Sequence, residues 1–125
     1  MLLVVTGSLL IKKPQGGTDE MYTLREDIVN VRETYPVKVV SLDLLLDHLS
    51  IQEVDLVKID VEGFEEHVLR GLRNRLSKKL INTIILEIHS PLLLDKCMRM
   101  LREAYDTKVF RISKESYLVY AIKRS

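Results

Sequence analysis

The stretch from Val54 to Glu66, Val-Asp-Leu-Val-Lys-Ile-Asp-Val-Glu-Gly-Phe-Glu-Glu, leaves few folds open to this chain. Val54 to Ile59 is nearly continuous in apolar residues apart from Asp55 and Lys58, which is the pattern of a strand buried on both faces. Phe64, Val68, Leu69, Leu72 and Leu76 then recur at helical spacing, with Glu65, Glu66, Arg70 and Arg73 assigned to the opposite side. Between strand and helix stand Asp60, Glu62 and Gly63. In an open α/β sheet the carboxyl edge of the strands is where ligands bind, so this junction is the first place to look for chemistry.

The same alternation organises the remaining sequence. Leu3 to Ile11 reads as two short strands with a turn at Thr6-Gly7-Ser8, or as one strand with a bulge. Lys12 to Glu20, with Pro14 and Gly16-Gly17, reads as a mobile loop, and Ile28, Val29 and Val31 as part of a strand ended by Tyr35-Pro36. Val37 to Val40 forms a short strand, after which Ser41 caps a helix carrying Leu42, Leu45, Leu46 and Leu49 on one face, with a break at Ser50-Ile51. Ile81 to His89 is a second buried strand. Ser90-Pro91 opens a helix with Leu94, Cys97, Met98, Leu101 and Ala104 on its apolar face. Lys108 to Ile112 and Tyr117 to Ile122, joined by the polar Ser113 to Ser116, close the chain as an antiparallel hairpin. Strands alternating with amphipathic helices imply a parallel sheet with right-handed crossovers, so residues 1–125 are expected to form a single α/β domain.

Charge and cysteine content exclude several classes of function. The 19 Lys and Arg nearly balance the 18 Asp and Glu, leaving a net charge of +1 and no global field to recruit nucleic acid or an anionic membrane. Met1 to Val5 is apolar but reaches Thr6-Gly7 too soon for a span of about 20 residues, and it lacks the basic flank of a signal peptide. The lone Cys97 cannot form an internal disulfide and reads as a small buried apolar side chain, which suits a reducing, cytoplasmic setting.

Parallel strands set their carboxyl ends side by side, which brings Asp60 and Glu62 towards Glu87 and His89 at the end of the following strand. Alternation places Glu87 and His89 on one face. Three carboxylates and an imidazole around one crevice can act as a general base, orient a hydroxyl, or hold a divalent cation. Ordinary structural roles compete: Asp60 or Glu62 as a cap on the helix that follows, Gly63 as the residue of a tight turn, His89 as a satisfied loop histidine. No metal is expected, because the Asp-x-Glu and Glu-x-His pairs lack a dedicated motif such as His-Glu-x-x-His. His67, in the following helix, is expected to face solvent or pack sideways, and His48 to lie near a helix end. Lys-Pro-Gln-Gly-Gly-Thr lacks the spacing of a phosphate loop.

The run Asp55 to Gly63, the helix leading to Gly71, and Ile85-Leu86-Glu87-Ile88-His89 resemble the signature of the FkbM-type S-adenosylmethionine-dependent methyltransferases. The resemblance runs from about Val37 to about His89, and Leu42-Asp43-Leu44-Leu45 is similar to the Leu-Asp stretch that precedes the family's signature strand. It implies a Rossmann-like sheet of the class I methyltransferase type, truncated to its C-terminal half and closed by the antiparallel hairpin. It also implies transfer of a methyl group from S-adenosylmethionine to a small-molecule acceptor bearing a hydroxyl. Asp60, Glu62, Glu87 and His89 would be catalytic, with Asp60 and Gly63 against the cofactor. No Gly-x-Gly or Asp-x-Gly-Ala-Asn segment of the family's cofactor loop stands in this sequence. The expectation is therefore an incomplete enzyme that needs an N-terminal segment or a partner polypeptide. The alternative is a noncatalytic α/β binding or assembly module that keeps the fold without the transfer. The strand beginning near Leu56 would then have one side exposed, covered by Leu3 to Ile11 or paired with a second copy in a homodimer.

Overall fold

The second half of the chain alternates strand and helix as its hydropathy pattern demands. The computed structural model describes residues 7–14 and 31–125. In chain order the elements are β1 (Gly7–Pro14), β2 (Val31–Val39), α1 (Leu42–His48), β3 (Val54–Ile59), α2 (Glu65–Arg70), α3 (Arg73–Ser77), β4 (Ile81–Ile88), α4 (Pro91–Leu101), β5 (Tyr105–Arg111) and β6 (Tyr117–Lys123). They form a mixed α/β structure with a four-stranded sheet ordered β3-β4-β6-β5 and a separate two-stranded sheet of β1 and β2. β3 runs parallel to β4, whereas β6 is antiparallel to both of its neighbours. The closing hairpin thus inserts its second strand between β4 and β5. No helix among the described residues is long and apolar enough to cross a membrane.

Side-chain alternation decides where the core sits. Ile84, Leu86 and Ile88 of β4 lie at every second position, all fully buried, and meet Leu69, Leu72, Cys97, Leu101, Val119 and Ala121. Each such aliphatic side chain contributes about 1.5–3 kcal/mol by leaving water. Tyr105 closes the cluster, and its buried hydroxyl donates to the Ile81 carbonyl at 2.7 Å, so no polar atom is left unsatisfied there. β3 departs from its sequence reading. Ile59 is 1% exposed but Leu56 is 54% exposed, because β3 has a neighbour on one side only among the described residues and turns one face outward. An apolar run fixes a strand but not its depth.

Helix starts follow the local chemistry. Ser41 accepts the Leu44 N–H at 3.1 Å, and Ser90 accepts that of Leu93 at 3.3 Å with Pro91 in the first turn. α1 ends as expected, with Ser50 in the left-handed region at φ 57°. The leucine face of α1 is only partly right. Leu42 and Leu46 pack on the core, Leu49 is 55% exposed, and the buried residue is Asp43.

Asp43 explains a second departure. The continuous helix expected from Phe64 to Leu76 is broken into α2 and α3 around Gly71-Leu72. The Gly71 carbonyl accepts the Asp43 N–H at 2.9 Å, and the Asp43 carboxylate accepts the N–H groups of Asn74 at 2.9 Å and Arg75 at 3.4 Å. A side chain 31 residues away therefore serves as the cap that starts α3. Arg75 completes the joint. All five of its guanidinium N–H groups are spent, on the Asp43 carboxylate and carbonyl, the Asp47 carboxylate, and the carbonyls of Ile51 and Gln52. α1 and α3 are bolted together through charge.

The N-terminal third differs most from its reading. Lys12 to Pro14 belong to β1 rather than to a loop, and β2 continues through Tyr35-Pro36 and takes in Val37 to Val39. Pro36 lies opposite Leu10, and a two-stranded ribbon tolerates proline because each strand has an outer edge. β1 pairs with β2 and not with β3, so it does not cover the β3 edge. The readings for residues 1–6 and 15–30 lie outside the described residues. Replacing Arg75 with Met should destabilise the protein by about 3–5 kcal/mol, the cost of stranding a buried carboxylate. Urea denaturation followed by circular dichroism measures this, and a loss below about 1 kcal/mol would show that water reaches Asp43 in place of the guanidinium.

Candidate functional site

The parallel register of β3 against β4 pairs Ile59 with Leu86, which leaves Asp60 and the turn after it beside Glu87 and His89. All four residues predicted as catalytic come together. His89 Nε2 lies 3.8 Å from Asp60 Oδ1, 3.8 Å from Glu62 Oε1 and 3.8 Å from Glu87 Oε1. The other ring nitrogen, Nδ1, is 3.1 Å from the Ser116 hydroxyl in the β5–β6 connection. Ser116 thus orients the ring and turns Nε2 towards the carboxylates. The sequence marked Ser116 only as part of a polar link, since its approach to His89 depends on β6 lying next to β4.

The turn that carries Glu62 is unusual in its backbone. Glu62 has φ 51° and Gly63 has φ 101°, two consecutive residues in the left-handed region. Gly63 is required by its angle, as the turn reading anticipated; Glu62 is not glycine and pays roughly 1–2 kcal/mol for its conformation. Such strain at a cluster of ionisable groups points from geometry towards function.

Glu65 holds this turn, and here the sequence reading is corrected. Assigned to the solvent side of the helix, Glu65 is 0% exposed. Its carboxylate accepts the Val61 N–H at 3.3 Å and the Gly63 N–H at 3.1 and 3.3 Å. The carboxylate that tethers the junction comes from the helix itself, and the N-cap, Phe64, makes no side-chain capping bond. Burial pushes the Glu65 carboxyl above its ordinary range, opposed by N–H bonds from its own backbone, Gly63 and Val61 and by the nearby His89. A neighbouring apolar run with a glutamate one residue past a Phe carries no periodicity signal for this role.

The remaining expectations sort cleanly. His67 packs sideways, its ring stacked on Phe64 at 4.1 Å, and His48 is exposed in the last turn of α1. Cys97 is fully buried, and burial, with Glu65 and Glu66 nearby, pushes its thiol up to about 12, so it is no nucleophile. Glu66 pairs with Arg70 at 2.6 Å and with Lys96 of α4 at 3.8 Å. A separate cleft lined by Asp47, Ile51, Asn74, Arg75 and Lys78 shares no residue with the His89 cluster, and its guanidinium is already saturated.

Chemically the cluster suits an oxygen-bearing ligand. With Nε2 and each carboxylate oxygen 3.8 Å apart, a hydroxyl placed between them reaches hydrogen-bond range, about 2.6–3.2 Å, of both at once. The side chains of Asp60, Glu62 and His89 also offer ligand atoms within 4.8 Å of one another, a donor set that a divalent cation can use.

Comparisons with known proteins bear on the family of the chain rather than on this geometry. The family described as the methyltransferase FkbM domain matches residues 5–108, further in both directions than the stretch from Val37 to His89 in which the sequence alone showed it. The hexuronic acid methyltransferase AglP of Haloferax volcanii is 29% identical over 92 residues, covering 73% of this chain and 38% of that protein. The chain therefore spans well under half the length of this curated relative. No solved structure matches.

Glu65 gives the site a measurable pH signature. Burial raises its carboxyl from the ordinary 4.5, so just above that pH the folded protein still keeps a proton that the unfolded chain has released. Its contribution to stability is present below pH 4.5 and is lost as pH rises through the raised folded value. Urea unfolding of wild type and Glu65→Gln across a pH series should show the wild type losing ground to the variant from about pH 4.5 upward, then a plateau. A difference that stays constant with pH would mean that the carboxyl titrates normally.

Proposed function

Since the chain belongs to the FkbM methyltransferase family, we propose that its His89 cluster orients and deprotonates a hydroxyl acceptor for methyl transfer from S-adenosylmethionine. The observation that carries this reading is the convergence of Asp60, Glu62 and Glu87 on His89 Nε2 at the carboxyl edge of two parallel strands. In this role His89 takes the acceptor proton, Ser116 keeps the ring in place, and the carboxylates bind the hydroxyl and favour positive charge nearby. The donor, when bound, supplies an electrophilic methyl group on a sulfonium. Asp60 and Gly63, at the strand-to-helix turn, are the residues proposed to line its pocket.

Electrostatics select among acceptors. Three carboxylates repel an anionic acceptor group and accept hydrogen bonds from a neutral hydroxyl, so the product is a methyl ether. The AglP relative acts, by its name, on a hexuronic acid, and a neutral ring hydroxyl of such a sugar, presented with its carboxylate away from the cluster, is a suitable first acceptor to try. On this reading the sheet β3-β4-β6-β5, with its antiparallel strand inserted next to the last, is the C-terminal part of a Rossmann-like methyltransferase sheet. The outer edge of β3 is then where a missing segment, a partner polypeptide or a second copy would pair.

Incubation with methyl-labelled S-adenosylmethionine and a hexuronic acid glycoside tests the proposal, alone and with candidate upstream polypeptides added. Alkali-stable label in the sugar is expected, since an ether survives where an ester is hydrolysed. His89→Ala should lower the rate about 10²–10⁴-fold, the usual contribution of a general base. Absence of both transfer and thermal stabilisation at millimolar donor would instead identify a noncatalytic module.

A further inference from the structure

Glu62 is the one member of the cluster whose own backbone works against its position. It is a non-glycine residue at φ 51°, 60% exposed at its side chain, at the tip of a turn. Left to itself such a residue would relax to the right-handed region, and its carboxylate would swing away from the imidazole. The two amides that flank it, those of Val61 and Gly63, are both held by a single carboxylate, that of Glu65. A short Asp or Ser at the helix start could satisfy one amide at smaller desolvation cost. The longer side chain of Glu65 spans both, and Oε1 alone accepts from each at 3.3 Å.

We propose that Glu65 is a positioning residue of the site. By clamping the N–H groups on either side of Glu62 it keeps that residue left-handed and its carboxylate within 3.8 Å of His89 Nε2. Glu65 acts only through the turn; it touches no reacting atom. Its consequence for catalysis rests on the methyl-transfer reading, whereas the clamp itself rests on the geometry alone.

A double-mutant cycle on the full chain tests the clamp, read by the Hε1–Cε1 resonance of the His89 ring. In the wild type, Glu62→Gln should move that resonance, because a charge close to the ring is removed. In a Glu65→Ala background the shift should be lost, and in Glu65→Gln, which keeps a carbonyl oxygen for the two amides, it should return. If Glu65→Ala does not fold, Glu65→Asp against Glu65→Gln decides the matter: Asp keeps the charge but lacks the reach, so the shift should vanish in Asp and persist in Gln. An equal response to Glu62→Gln in every background would overturn the proposal. In the methyl-transfer assay Glu65→Ala should lower kcat about tenfold with the KM for donor unchanged. If the wild type transfers no methyl group the functional reading fails, while the resonance cycle still decides the role of Glu65.

Discussion

The site depends on the parallel pairing of β3 with β4 more than on any single side chain. Ile59 opposite Leu86 fixes where both strands end, and a shift of one residue would turn Glu87 away from the cluster and Ile88 into it. What resists the shift is the core: Ile84, Leu86 and Ile88 are fully buried on one face, and exposing them would cost several kcal/mol. Hydrophobic burial thus sets a polar arrangement. The same register brings β6 against the other side of β4, pairing Ile88 with Tyr117 and carrying Ser116 to the His89 ring.

Two buried charged groups do the work that apolar packing leaves undone. Arg75 ties α1 to α3, and every N–H it has is matched by a carboxylate or a carbonyl. Glu65 is held by backbone amides rather than by a guanidinium, and burial pushes its carboxyl upward. The contrast is instructive. A fully paired buried ion anchors elements, whereas a buried carboxylate bound to a strained turn stores its cost beside the candidate site.

Much of the fold was legible. Serine caps at Ser41 and Ser90, the apolar face of α4, the strand at Ile81–Ile88 and the closing hairpin all follow from local chemistry, because caps, periodicity and turns are decided within a few residues. The misreadings have different reaches. The split of the long helix and the burial of Asp43 are settled by partners distant in sequence, the exposure of Leu56 by the place of β3 at the sheet edge, and the inward turn of Glu65 by the nearby amides of Val61 and Gly63. Periodicity counts charged residues as solvent-facing, and it has no means of seeing that an amide or a guanidinium is waiting inside.

The sequence by itself determined the kinds and order of the elements from α1 to β6 apart from the break between α2 and α3, the family, and the meeting of Asp60, Glu62, Glu87 and His89, since parallel strands must align their ends. Tertiary structure decided how these groups face one another. The 3.8 Å spacing around Nε2 and the role of Ser116 depend on contacts between chain segments whose separation in sequence is unrelated to their separation in space. Local propensity can bring carboxylates to an edge, but only long-range packing can aim them.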